Sequence, residues 1–287
     1  VADTFQRRGH AFAGLGYKPD RRHLLGIAPR RDAARLLGSL PVPTVPGGLD
    51  AATVRSLGIL DQGGAPFCVS HGIAGAERDC QQRNGLAVPR LASRLWIMYL
   101  AHALEHDVAA FEGAFVSDGF QAVEELGFPP EEVWPYSDAN PGPFSQKPPA
   151  EVFREAFDRK APLDYGRILT SGQRRVDDVM RAVAGGGQGG RPCPVVFGTN
   201  VTNAFCSNEL GPGAVVDVPK GDIAGGHCMR IIRFEFDAAV AGGVKFLVVN
   251  SWSSAWGDGG MFWMTPAWLM DPSTEDIWMA DFQGVQS

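Results

Sequence analysis

The apolar pattern of this 287-residue chain changes period halfway along, and that change limits the architectures open to it. In the first half, Leu95–His106 (LWIMYLAHALEH) is a strongly apolar run of helical length. Cys68–Arg83 (CVSHGIAGAERDCQQR) also has helical character, with the turn residues Gly63, Gly64 and Pro66 just ahead of it. Ala122–Leu126 predicts the end of a further helix, with Gly127 just past its last turn. In the second half, Pro194–Phe197, Cys228–Phe236 and Val244–Asn250 read as strands. A short helix is expected over Val176–Ala184, followed by a flexible Gly-rich loop, Gly185–Gly190. Helices first and strands later predict an α+β protein with a helical lobe and a sheet lobe. We find no internal repeat.

Residues 1 to about 45 are rich in Arg, Gly and Pro, with Pro29, Pro41, Pro43 and Pro46 as breakers, and they predict an extended arm rather than a domain. The expected division is an arm over 1–45, a mainly helical lobe over 46–165 and a mainly β lobe over 166–287. Charge is split the same way. Val1–Arg35 holds eight Lys or Arg against three Asp or Glu, or +5, so a total of −6 leaves −11 on the remainder. Without aromatic–basic interleaving, and with a pI near 5.5, the arm does not read as a nucleic-acid binder. No apolar run approaches the roughly 20 residues of a bilayer span, so no membrane partner is expected, and Val1–Gly14 has no apolar stretch like that of a signal peptide.

The chemistry concentrates in three short segments. In residues 61–72, DQGGAPFCVSHG, Cys68 falls at the first turn of a helix, where the positive end of the macrodipole favours thiolate over thiol. Gln62, six residues upstream, can supply a side-chain N–H which, with the Cys68 backbone N–H, would hold an oxyanion. The second segment is Gly225-Gly226-His227-Cys228, which sets a histidine at the head of a strand. The third is Asn250-Ser251-Trp252-Ser253-Ser254-Ala255-Trp256-Gly257, in which Asn250 can orient the imidazole and Trp252 can cover that hydrogen bond. A cysteine, a histidine and a third orienting group follow the logic of a nucleophilic triad.

These segments resemble the papain family of cysteine peptidases, particularly bacterial members without a long propeptide. Ser93-Arg94-Leu95, Asp118-Gly119, Trp134-Pro135-Tyr136 and Pro194–Gly198 extend the resemblance, which runs from about Pro41 to Phe282. It implies a papain-like two-lobe fold with the cleft between the lobes. It also implies Cys68 as nucleophile, His227 as base then acid, Asn250 as orienter and Gln62 as oxyanion donor. Trp256 would line the leaving-group side, and Gly113 with Ala114 would form the edge that pairs with substrate backbone. The implied activity is peptide-bond hydrolysis through an acyl-enzyme, with peptide or protein substrates and neither cofactor nor metal. Acyl transfer on the same site and a non-catalytic binding protein are the rival readings. The chain departs from the family pattern at Ala65, which replaces a disulfide-forming cysteine, and at Val69, His71 and Ala114. The missing disulfide and signal stretch lean towards a reducing interior, with a secreted mature form left open.

Five further expectations follow. His71, one turn past Cys68, should hydrogen-bond within its lobe rather than act as base. His102 and His106, at i and i+4, lack a third ligand. Cys193 and Cys206 could pair, although their spacing does not decide it. Ala114, Phe115 and Val116 on one wall, with Gly226 and Cys228 on the other, predict an apolar subsite. The basic arm, with Phe5, Phe12, Leu15 and Tyr17 as anchors, is expected to dock on the acidic body and partly cover the cleft, so that residues 1–40 inhibit intramolecularly.

Overall fold

The computed structural model describes residues 5–7, 10–12, 15–22, 32–140, 142–207 and 210–283. Among these, a hairpin of β1 (Phe5–Arg7) and β2 (His10–Phe12) precedes α1 (Ala34–Leu37), β3 (Gly47–Gly48) and α2 (Ala51–Ser56). Helices α3 (Cys68–Arg83), α4 (Arg94–Leu104), α5 (Val116–Leu126) and α6 (Ala150–Asp158) follow. The second half holds β4 (Leu163–Arg167), α7 (Gly172–Gly185), β5 (Val195–Thr202), α8 (Asn203–Ser207), β6 (Val215–Val216) and β7 (Ile223–Phe236). The chain then forms β8 (Val244–Val249), β9 (Met261–Met264), α9 (Pro266–Met270) and β10 (Asp276–Phe282). This is the α+β order expected from the period change.

Apart from the β1–β2 hairpin, the strands form one sheet in the order β4-β10-β5-β7-β8-β9-β6, with β3 also pairing with β7. Its pairs are antiparallel except β6 with β9. Alternation along the strands sends successive side chains to opposite faces. Val196 and Trp278 join Phe67, Ile73, Trp96 and Phe120 in the core under α3. Phe197 and Ile277 join Val179, Phe234, Phe262 and Trp268 in a second core on the other face. Strand β7 begins at Ile223, five residues before the expected start, because Gly225 and Gly226 pair with Val201 and Asn200 of β5. Tertiary pairing overrides the poor strand propensity of glycine here. His227 therefore stands inside a paired strand, opposite Thr199, rather than at a strand head.

Helix α3 is buried from Cys68 to Gln81 although it carries Glu77, Arg78 and Asp79. Buried charges need partners. Asp79 takes Arg230 of β7 at 2.7 Å, and Arg78 donates to the carbonyls of Leu57 and Gly58. Gly75 makes room for this crossing, since a Cβ there would stand 2.4 Å from an Arg230 guanidinium nitrogen. Among the described residues the Glu77 carboxyl accepts from the Gln81 amide through one oxygen and makes no hydrogen bond through the other, and burial pushes its pKa from 4.5 up to about 8. A carboxyl whose folded pKa is raised favours folding below its unfolded value, and that contribution disappears as pH rises through about 8. Calorimetry at pH 5 and pH 8 should therefore show the wild type losing more Tm than Glu77→Gln, by at least about 4 °C. Equal losses would mean that Glu77 titrates as an ordinary exposed carboxyl.

The first 45 residues are not all extended. Leu37 of α1 is buried in the second core, and the Ala33 N–H donates to the Arg167 carbonyl. The side chains of Phe5 and Phe12 lie outside the described residues, as does the whole of Pro29.

Candidate active site

The turn before α3 is built from Gly63, with φ 55°, through Gly64, Ala65 and Pro66, and it delivers Cys68 as the first residue of a 16-residue helix. Gln62 is fixed within this turn. Its backbone N–H donates to the Ser251 carbonyl at 2.9 Å, its side-chain N–H donates to the Ala65 carbonyl at 2.9 Å, and its side-chain oxygen accepts from the Ser251 hydroxyl at 2.7 Å. The Tyr136 hydroxyl donates to the Gln62 carbonyl. The Gln62 turn and the Asn250 segment are thus tied together through Ser251, whose role the sequence reading missed even though it stands inside the quoted Asn-Ser-Trp run.

His227 is fully buried. Its Nε2 lies 2.8 Å from Asn250 Oδ1, and Trp252 stacks on its ring at 4.5 Å between centroids and 20° between planes. The Ser251 backbone N–H, which can only donate, also contacts Asn250 Oδ1 at 2.8 Å. That atom is therefore the amide oxygen, so Nε2 carries the proton and Nδ1 keeps the lone pair. Nδ1 makes no hydrogen bond among the described residues. Trp256 is buried beside Trp252 and Phe205.

Leu15–Arg22 lies along the same site as a strap. The Gly16 carbonyl accepts from Ala114 N–H at 2.9 Å, Lys18 N–H donates to the Ala114 carbonyl at 3.2 Å, and Tyr17 N–H donates to the Gly226 carbonyl at 3.0 Å. Tyr17 and Ala114 form a parallel bridge. Two glycines permit this approach: a Cβ on Gly16 would stand 1.5 Å from the Pro66 oxygen, and one on Gly113 would stand 1.6 Å from the Gly16 oxygen. Charged contacts flank the backbone pairing. Lys18 meets Glu105 at 3.0 Å, and Arg22 bridges Asp20 and Asp118 while lying 4.2 Å over the Phe115 ring.

The strap shapes the electrostatics. Burial pushes the Cys68 thiol up to about 11, against a downward pull from the backbone N–H groups of Cys228, Gly16, Cys68 and Val69. Burial also brings His227 down to about 4, against the hydrogen bond to Asn250. Between those values the thiol and the imidazole are both neutral. From the strap, the N–H of Gly16 faces the sulfur as a donor.

The remaining candidates fall into place around this centre. Val116 is buried at the start of α5, and Cys228 is buried against Gly72. His71 contacts the Phe67 carbonyl through Nδ1 and the Asp61 carbonyl and Arg94 through Nε2. His102 contacts the Gly113 carbonyl at 3.3 Å. All five cysteines are buried, and Cys193 and Cys206 form no disulfide with each other. Of the residues named for the apolar subsite, Ala114, Val116 and Cys228 share a buried cluster with Tyr17. Between the walls named from sequence sits the ring of Tyr17, and its hydroxyl donates to Asp276 of β10 at 2.6 Å. Asp276 is 160 positions beyond Val116 in the numbering, and only the sheet order brings it beside the cleft.

The fold is the papain-like fold of cysteine proteases. The structure matches xylellain, a cysteine protease from Xylella fastidiosa, with a TM-score of 0.72 and 23% identity, over 98% of this chain and 99% of that one. It matches digestive procathepsin L 3 of Tenebrio molitor larval midgut with a TM-score of 0.60 and 14% identity, over 92% and 82%. The match to bromelain protease from Ananas comosus has a TM-score of 0.57 and 14% identity, over 83% and 100%. In sequence, the chain is 27% identical over 281 residues to an uncharacterized peptidase C1-like protein of Acanthamoeba polyphaga mimivirus, covering 93% of this chain and 86% of that protein. No family model matches it.

Proposed function

We propose that this protein is a cysteine peptidase that cleaves peptide bonds through an acyl-enzyme on Cys68. The observation that carries this reading is the His227–Asn250 hydrogen bond under the Trp252 ring, which leaves a basic nitrogen on a buried imidazole. In the proposed reaction, His227 Nδ1 takes the Cys68 proton and the sulfur attacks the substrate carbonyl carbon. The oxyanion accepts from the Cys68 backbone N–H and from the Gln62 side-chain N–H that is not spent on Ala65. His227 then returns its proton to the leaving amine as the C–N bond breaks. Water attacks the thioester with His227 again as base, releasing the carboxylic acid and restoring the thiol. Asn250 holds the imidazole in the required tautomer and supports the imidazolium. In the same reading, residues 15–22 act as an intramolecular inhibitor that occupies the substrate-binding edge.

Hydrolysis of a fluorogenic peptide series tests the roles. Gln62→Ala should lower kcat by about 10²-fold, the scale for loss of one oxyanion donor, while Asn250→Ala should cost less because it only orients. An unchanged kcat in Gln62→Ala would remove Gln62 from the oxyanion site. Product mass with an added amine separates hydrolysis from acyl transfer.

A further inference from the structure

We propose that the pocket filled by Tyr17 selects the substrate, and that it takes a tyrosine-like side chain, a flat ring tipped by a neutral hydrogen-bond donor, through Asp276. The proposal rests on the peptidase reading above and adds the substrate class.

The backbone of Gly16, Tyr17 and Lys18 is held by three backbone groups, the N–H and carbonyl of Ala114 and the carbonyl of Gly226. None of them reads a side chain, so any peptide that displaces the strap can use all three, and its own side chain then enters the space of the Tyr17 ring. That space is cut to a ring. A Cβ on Gly198 of β5 would stand 2.1 Å from a Tyr17 ring carbon, and one on Gly226 would stand 3.0 Å from another. At its end sits Asp276, which is fully buried and accepts from the Tyr17 hydroxyl at 2.6 Å and from the Asp20 N–H at 2.8 Å through one oxygen. The other oxygen makes an ion pair with Arg167 at 2.7 Å.

This arrangement discriminates in two directions. Phenylalanine fills the ring space but leaves a buried carboxylate oxygen short of a donor, which is costly. Lysine or arginine brings a second cation to a carboxylate whose charge Arg167 already balances, so the buried group would carry an excess positive charge. A phenol satisfies the oxygen and adds no charge. Burial and Asp276 both hold the Tyr17 hydroxyl in its protonated, donating form.

The test uses the full-length chain and has two arms. In the first, kcat/KM is measured on peptides identical except for Tyr, Phe, Leu or Arg at the residue entering this pocket. The strap inhibits all of them alike, so ratios cancel its occupancy. Tyr should exceed Phe by at least about 10-fold, as in sites built around a substrate hydroxyl, and should exceed Arg as well. In the second arm, Tyr17→Gly vacates the pocket, and the Tm is followed with p-cresol or toluene at equal concentration. The cresol should raise the Tm and toluene should not. This arm needs no catalysis, so cresol selectivity without any peptide cleavage would uphold the pocket and count against the peptidase reading alone. Phe or Arg equal to or better than Tyr, or equal stabilisation by the two small molecules, overturns the proposal.

Discussion

Deleting residues 1–22 should accelerate alkylation of Cys68 at pH 7 by about 10²-fold or more, followed by intact mass with iodoacetamide. With the strap in place the thiol titrates near 11, so about one molecule in 10⁴ is thiolate at pH 7, against about 3% for an ordinary cysteine. Removing Leu15–Tyr17 opens the sulfur to water and to an imidazolium partner, and both changes favour thiolate. The cut belongs before α1. A longer deletion reaching residue 38 would also remove Leu37 from the second core and the Ala33–Arg167 backbone bond, which would confound access with unfolding. Added salt should speed alkylation of the intact chain more than that of the truncated one. The contacts of Lys18 with Glu105 and Glu112 and of Arg21 with Glu275 reach the surface and are screened. Equal rates for the two chains at low and high salt would make the strap a structural brace without control of access.

Cys68→Ala and His227→Ala should each lower turnover on a peptide by at least about 10³-fold, because residues of such a unit act together and losing one forfeits most of its effect. For His227 the loss is specific to the proton it moves. The variant keeps Asn250, held by the Ser251 N–H, and Trp252, which packs on Phe205 and Trp256. An unchanged Tm with lost activity would separate chemistry from folding. Turnover within about 10-fold of wild type in His227→Ala would place the base elsewhere.

Much of this site was legible along the chain because its parts are local. A Gly- and Pro-bearing turn before a helix presents Cys68, and Asn250 and Trp252 lie two apart in one run. The helix over Cys68–Arg83 followed from its small and apolar residues, whereas the burial of Glu77, Arg78 and Asp79 on it did not. What stayed hidden depends on contacts between distant segments. Ser251 looks like any surface serine until Gln62 is beside it. Asp276 and Arg167 are ordinary charges until β10 pairs with both β4 and β5 and sets them behind Tyr17. Strand β7 was read too short for a similar reason, since two glycines join it only through their partners on β5. The basic arm showed its affinity for the acidic body in its charge. The route it takes depends on Gly16 and Gly113 approaching without side chains.

The most direct test of the central claim is intact-mass analysis and peptide mapping after limiting treatment of the strap-deleted chain with an epoxide warhead near pH 6. One adduct on Cys68, formed before any of Cys80, Cys193, Cys206 and Cys228 reacts and lost in His227→Ala, is the predicted result. Labelling spread evenly over the thiols, or a Cys68 adduct that forms as fast without His227, would contradict an activated nucleophile at this site.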